Sequence, residues 1–295
     1  MKFLYLSNYL YQWLLIATCL ISVATMTGCG AGGDTIAGAG SGGTGVVAKQ
    51  ISGTVADGYL VNATVFLDKN GNYQLDAGEP SATTDANGAY TLSVDPADVG
   101  KYPIVVLAII GVTIDKDTNQ TLASSYVLSL PKDSISSTVS NNFISPMTSL
   151  VREMMETGLY ASMQQAMDAL GTKMGLPAGT NLMTDYIAAN NTTMHTAAQN
   201  IATLMGNQMG LILGTSGSTI TVDVNRYRSM MGTIFSNMSS IMGSNAQTGM
   251  TNLNSIITTM LTNMPTTSVG QPFMNMSTSF RSMMVVANTT NSGMR

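Results

Sequence analysis

Apolar positions alternate with a period near two in the first half of the chain and near 3.6 in the second. ISGTVA (51–56), ATVFLD (63–68), AYTLSV (89–94), PIVVLAII (103–110) and SSYVLSL (124–130) are short, β-branched and bounded by turn residues, so they are predicted as strands. Asn87-Gly88 and Asp117-Thr118-Asn119 are the turn signals between them. Five short strands within residues 49–133 predict a small β-sandwich.

Beyond residue 143 the spacing changes. Ser145-Pro146 places an N-cap and a first-turn proline at the start of a helix. Tyr227, Met231, Ile234, Met238 and Ile241 step by 4, 3, 4 and 3. Met194, Ala198, Ile201 and Met205 form a similar seam, as do Met250, Leu253, Ile257, Met260 and Met264, and Phe273, Met276, Phe280 and Met283. Each is one apolar stripe of an amphipathic helix. Gly214, Gly243, Pro265 and Gly270 punctuate them, which predicts an antiparallel helix bundle with short loops. The expected class is therefore α+β in separate domains, an N-terminal β-sandwich (49–133) and an all-α helical domain (143–295), divided by a linker at 134–142.

The first 28 residues have a different character. Lys2 precedes an apolar stretch at 14–24, which is followed by Met26-Thr27-Gly28-Cys29. These residues resemble the signal peptide and lipobox of bacterial lipoproteins. That resemblance implies cleavage before Cys29, acylation of Cys29 and anchoring in the cell envelope. Gly30, rather than Asp, behind the cysteine leans towards the outer membrane or cell surface. Cys19 would leave with the signal peptide. Residues 29–48 are glycine-rich and read as a flexible tether.

Charge narrows the function further. Only 9% of the 295 residues are charged, and 12 Lys+Arg against 16 Asp+Glu give a net charge of −4. A nucleic-acid partner would need clustered cations, so none is expected. A single histidine excludes multi-histidine metal sites, and two N-terminal cysteines exclude a disulfide scaffold. His195 lacks the partners of a catalytic triad and reads as a packed or surface residue. No apolar run beyond residue 29 is long enough to span a bilayer.

DKNGNYQLDAGE, residues 68–79, is the candidate site. Oxygen-bearing side chains fall at loop positions 1, 3, 5, 9 and 12 as Asp68, Asn70, Asn72, Asp76 and Glu79. Gln74 at position 7 would add its backbone carbonyl, and Leu75 would anchor the loop in the core. Calcium takes about six to eight oxygen ligands, which alternate residues of such a loop can turn inward. Tyr73 stands at position 6, where a calcium loop calls for glycine. Strand-like flanks distinguish the loop from an EF-hand.

Gly53, Val55, Asp57-Gly58, the acidic loop with Pro80, and Thr84-Asp85…Gly88…Tyr90 together resemble the carboxypeptidase-regulatory-like and serine-aspartate-repeat B-type modules of bacterial surface proteins. The resemblance covers about residues 50–130 and implies a transthyretin-like or immunoglobulin-like sandwich that serves as a stalk or binding platform. ISPMTSLV (144–151) resembles the "ISPLTTLV" segment that follows such modules, and 169–191 resembles their "LGLP…DY" continuation. The expected function is a non-enzymatic, lipid-anchored envelope protein for adhesion, scaffolding or partner binding. One alternative is carbohydrate binding through Tyr59, Tyr73, Tyr102 and Tyr126. The other is Cu(I) or Ag(I) binding by methionine, with Met274, Met276, Met283, Met284 and Met194 beside His195 as candidates. Of 24 methionines, all but Met1 and Met26 lie at or beyond residue 147, but they follow the seams and interchange with Leu, Ile and Phe, which favours core filling. The Gly206–Gly210 GxxxG reads as close helix packing.

Overall fold

The computed structural model describes residues 47–135, 142–216, 219–243 and 246–266. Cys29, the tether, the seam from Phe273 to Met283 and the methionines at 274, 276, 283 and 284 lie outside the described residues. The chain runs through β1 (Lys49–Val55), β2 (Leu60–Val61), β3 (Thr64–Leu67), β4 (Ser81–Thr83), β5 (Ala89–Val94), β6 (Ile104–Ala108), β7 (Ile114–Asp115), β8 (Gln120–Thr121), β9 (Tyr126–Leu130) and β10 (Asn142–Ile144). It continues through α1 (Pro146–Glu156), α2 (Met163–Lys173), α3 (Thr192–Gln208), β11 (Leu213–Ser216), β12 (Thr219–Val222), α4 (Val224–Ser236), α5 (Met238–Met242) and α6 (Ala246–Asn263). Strands thus dominate the N-terminal half and helices the C-terminal half, a mixed α+β composition.

The two larger sheets have the orders β10-β1-β5 and β4-β3-β6-β9, and β2-β7-β8 forms a third. β5 alternates: Tyr90, Leu92 and Val94 are buried while Thr91 and Ser93 are exposed, so one face meets water. β6 and β9 are buried at every position. Strands buried on both faces need a second covering layer, and α1 supplies it. Thr148 Oγ1 donates to the Ser129 carbonyl at 2.8 Å, and Ser149 Oγ accepts from the Ser129 N–H at 2.8 Å, pinning α1 to β9. From α4, Tyr227 donates its hydroxyl to the Val127 carbonyl of β9 at 3.0 Å.

The start of α1 is where Ser145-Pro146 placed it. Ser145 and Thr148 form a reciprocal capping box, and Pro146 occupies the first turn. Immediately upstream, β10 pairs in parallel with β1, Gly53 opposite Asn142. The Asn142 carbonyl would lie 2.0 Å from a Cβ at Gly53, so only glycine allows that approach. The expected linker therefore ends in a strand of the first sheet. Described strands and helices on either side of it share one hydrophobic core.

Within the helical half, Tyr227, Met231, Ile234, Met238 and Ile241 are all buried, and so are Met194, Ala198, Ile201 and Met205. The last described seam is rotated slightly: Leu253, Ile257 and Leu261 are buried, while Met250, Met260 and Met264 are only half-buried. Gly206 brings α3 against Ser124, whose Cβ would be 3.1 Å from an added Cβ, in keeping with close packing. The all-helical expectation needs one correction. Gly214 lies in β11, which pairs with β12 as an antiparallel hairpin. Thr219, Ile220, Thr221 and Val222 are β-branched, which explains a strand between two helices.

The buried methionines behave as core. Met231 and Met238 are 0% exposed. Met231→Leu roughly conserves volume and should cost less than about 1.5 kcal/mol. Met231→Ala should cost about 2–5 kcal/mol. Denaturant melts of the two variants beside wild type check this ordering, and equal losses would contradict it.

Candidate functional site

The acidic loop joins β3 to β4. Its ends are held by the Leu67 N–H donating to the Pro80 carbonyl at 3.0 Å and the Asp68 N–H to the Pro103 carbonyl at 3.0 Å. Asp68 is fully buried. Its Oδ1 accepts from the N–H groups of Gly71 (2.8 Å) and Asn72 (3.1 Å), and its Oδ2 from that of Tyr73 (3.2 Å). One carboxylate thus winds the backbone around itself.

Three of the six predicted ligand residues converge. Asn70 and Asn72 both donate their side-chain amides to Asp76 Oδ2, at 2.7 and 2.8 Å. Their amide oxygens are turned the other way, Asn70 Oδ1 accepting from the Asn72 N–H at 3.1 Å and Asn72 Oδ1 from the Gln74 N–H. Glu79 closes the loop from the other side, Oε1 accepting from the Lys69 N–H at 2.7 Å and Oε2 from the Asp76 N–H at 3.0 Å. Gln74 is buried, and its N–H donates to Asn72 Oδ1 at 2.8 Å. Burial pushes the Glu79 carboxyl above its ordinary range; the two N–H groups oppose this, and Asp68 and Asp76 add to it. Hard oxygens of this kind are the donor type calcium takes; among the described residues no group of three or more His, Cys, Asp or Glu side chains is gathered as a metal site.

Position 6 shows how the chain does without glycine. Tyr73 itself adopts φ +62°, beside Gly71 at φ +76°. A left-handed tyrosine is strained unless its surroundings hold it, and here they do. Its ring is fully buried, 4.9 Å from that of Tyr227 and beneath the Arg152 guanidinium at 4.1 Å. Its hydroxyl donates to Glu153. Tyr73, rather than the half-buried Leu75, is therefore the main anchor of the loop.

Behind Tyr73 lies a network of buried charges that the sequence reading did not identify. Arg152 on α1 reaches Asp68 Oδ2 through Nη2 at 3.3 Å and Glu156 through Nε at 3.2 Å. Arg228 on α4 pairs with Glu153 at 3.3 Å and Glu156 at 2.7 Å. Burial pushes the Glu153 carboxyl up, against the pull of Arg228. Charge is rare in this chain, so Arg152-Glu153 beside the apolar ISPMTSLV was the available signal.

A second feature was also missed. A cleft of about 330 Å³ runs between residues 122–126 and α3, lined by Asp57, Asp115, Tyr126, Gln199, Thr203 and Asn207 among others. Tyr126 donates to Asp57 Oδ2 at 2.8 Å, while Asp57 Oδ1 is sealed from water without a hydrogen-bond partner. Burial pushes Asp57 up to about 7; Tyr126 opposes the shift, and Asp115 and Asp117 reinforce it. Asp117 is engaged by His195 Nε2 at 2.7 Å and Gln199 Nε2 at 2.8 Å, so the single histidine serves a side-chain hydrogen bond at the edge of α3. Of the four tyrosines considered for sugar stacking, Tyr102 is half-buried and three are engaged elsewhere. Tyr73 and Tyr126 are buried, and Tyr59 donates to Asp185 at 2.8 Å.

No family model, curated protein or solved structure matches the chain. Among the described residues no helix is long and apolar enough to cross a membrane.

Asp57 makes a pH prediction. Its folded-state value of about 7 lies above the ordinary 3.8. Between those values the folded chain keeps a proton that the unfolded chain has lost, so rising pH destabilises the fold, and the effect levels off above about pH 7. Across that window wild type should lose on the order of 4 kcal/mol relative to Asp57→Asn. Urea melts at pH 4.5 and 8 measure the difference; a gap between the two proteins that does not change with pH would contradict it.

Proposed function

We propose that the chain is a lipid-anchored protein of the cell envelope or cell surface, non-enzymatic, whose folded part is a calcium-holding module for partner binding, adhesion or scaffolding. The finer architecture we infer is a small β-sandwich with helices laid over one face. Anchoring rests on the apolar leader and Met26-Thr27-Gly28-Cys29. The observation that carries the module reading is the acidic loop, where Asn70, Asn72 and Asp76 meet at one carboxylate oxygen between Asp68 and Glu79.

Asp68, Asn70, Asn72, Asp76, Glu79 and the Gln74 carbonyl would hold the ion. Bound calcium would supply positive charge where acids now repel one another, and so stiffen the loop. The non-enzymatic reading draws support from the buried charges of the helical half, which pair with one another. Arg152, Arg228, Glu153 and Glu156 pair internally, and His195 pairs with Asp117.

Two measurements test these statements. Cells fed labelled palmitate should yield labelled, detergent-phase wild type and unlabelled Cys29→Ala, with Cys19→Ala like wild type; label retained in Cys29→Ala would rule out the anchor. Calcium at millimolar concentration should raise the melting temperature of the full chain above its value in chelator, by mass action on the folded state. Asp76→Asn keeps the loop's shape and should remove most of that rise, whereas equal melting of wild type in both buffers would exclude calcium.

A further inference from the structure

The position of Arg152 bears on how the loop takes its ion. Asp68 is the first residue of the ligand pattern and the most buried of its acids. A carboxylate removed from water needs a counter-charge, and Arg152 provides one at 3.3 Å. Lys69, the basic residue within the loop itself, turns outward to Asp98 at 2.7 Å.

Arg152 is held firmly in place. Its side chain is 1% exposed, Nε is tied to Glu156 at 3.2 Å, and the guanidinium plane rests 4.1 Å from the Tyr73 ring centre. Its Nη1 is buried without a hydrogen-bond partner, so the group leans on Asp68, Glu156 and the ring. A guanidinium does not give up its proton in a protein. Its charge can neither leave nor be neutralised by titration when a second cation approaches Asp68.

We propose that Arg152 is a built-in counter-cation of the acidic loop, which shares Asp68 with the bound divalent ion and thereby weakens its binding. This rests on the calcium reading of the loop given above. The guanidinium keeps the loop folded when calcium is scarce and sets the concentration at which calcium adds to it. Coupling between two ligands of one carboxylate is reciprocal. Removing the arginine's charge should therefore make the fold more dependent on calcium and make calcium bind more tightly.

The test is a calcium titration of the full chain against chelator, followed by melting temperature and by isothermal calorimetry. Arg152→Met keeps length and can lie against Tyr73 without charge. It should melt well below wild type in chelator, recover more than wild type when calcium is added, and bind calcium roughly tenfold more tightly or better. Arg152→Lys, which keeps the charge, should stay near wild type in affinity. Lys69→Met removes a charge from the loop's solvent side and should change affinity much less than Arg152→Met. If Arg152→Met is unfolded in both buffers, Glu156→Gln supplies the reading. Stripping the arginine of this partner should weaken calcium binding severalfold, and unchanged affinity would overturn the proposal. Calcium binding in wild type that is no tighter in folded Arg152→Met, or equally tightened by Lys69→Met, would also overturn it while leaving the loop as a calcium site. No calcium response in wild type or in folded Arg152→Met would overturn the calcium reading itself.

Discussion

The contact between Asp68 and Arg152 links residues 84 positions apart and joins the two halves of the molecule. On one side, Asp68 gathers three consecutive backbone N–H groups and so shapes the acidic loop. On the other, Arg152 sits mid-way along α1, the helix that covers β9. Removing one partner of a buried ion pair leaves an uncompensated charge, at a cost of about 3–5 kcal/mol. The Tyr73 ring, wedged between Arg152 and Tyr227, extends the link to α4. The loop and the helices behind it are therefore one mechanical unit. Calcium bound at the loop would act on the packing of the whole fold.

That dependence follows from how the sheets are covered. β6 and β9 have no polar face, so residues 49–133 alone would expose an entire apolar layer. β10 completes the first sheet and α1 covers the second, and the chain supplies both within fifteen residues, from Asn142 to Glu156. Residues 144–151 carry the turn from the first sheet into that cover. In this chain the segment is a helix whose cap, Ser145 and Thr148, is bonded to the sheet it protects.

Much of this was legible residue by residue. The strand at 89–94 coincides with its alternation, α1 begins at its cap signal, and the seam from Tyr227 to Ile241 is buried throughout. The charge network and β12 had local signals, in Arg152-Glu153 and the β-branched run 219–222, but other features had none. β2, β7 and β8 are two residues each, too short to show a period. The apolar run in β6 implies burial on both faces but does not say what covers the second. Tyr73 looked like a defect in a calcium pattern because its compensation comes from α1 and α4. Asp57 read only as part of a strand-and-turn resemblance, and the approach of Tyr126 and α3 makes it a buried carboxyl. In each case the missing information was a contact across tens of residues.

The distribution of charge and methionine completes the account. A core rich in methionine packs tightly but selects weakly among arrangements, because the side chain is flexible and its contacts lack direction. Uniqueness then has to come from directional bonds. The fold places them where the layers meet: Thr148 to Ser129, Tyr227 to Val127, Tyr73 to Glu153, and Arg152 to Asp68. Threonine, serine and asparagine keep the outer helix faces in water without charge. Four ionisable groups of the helical half serve inside instead: Arg152, Glu153, Glu156 and Arg228 form the paired network behind Tyr73.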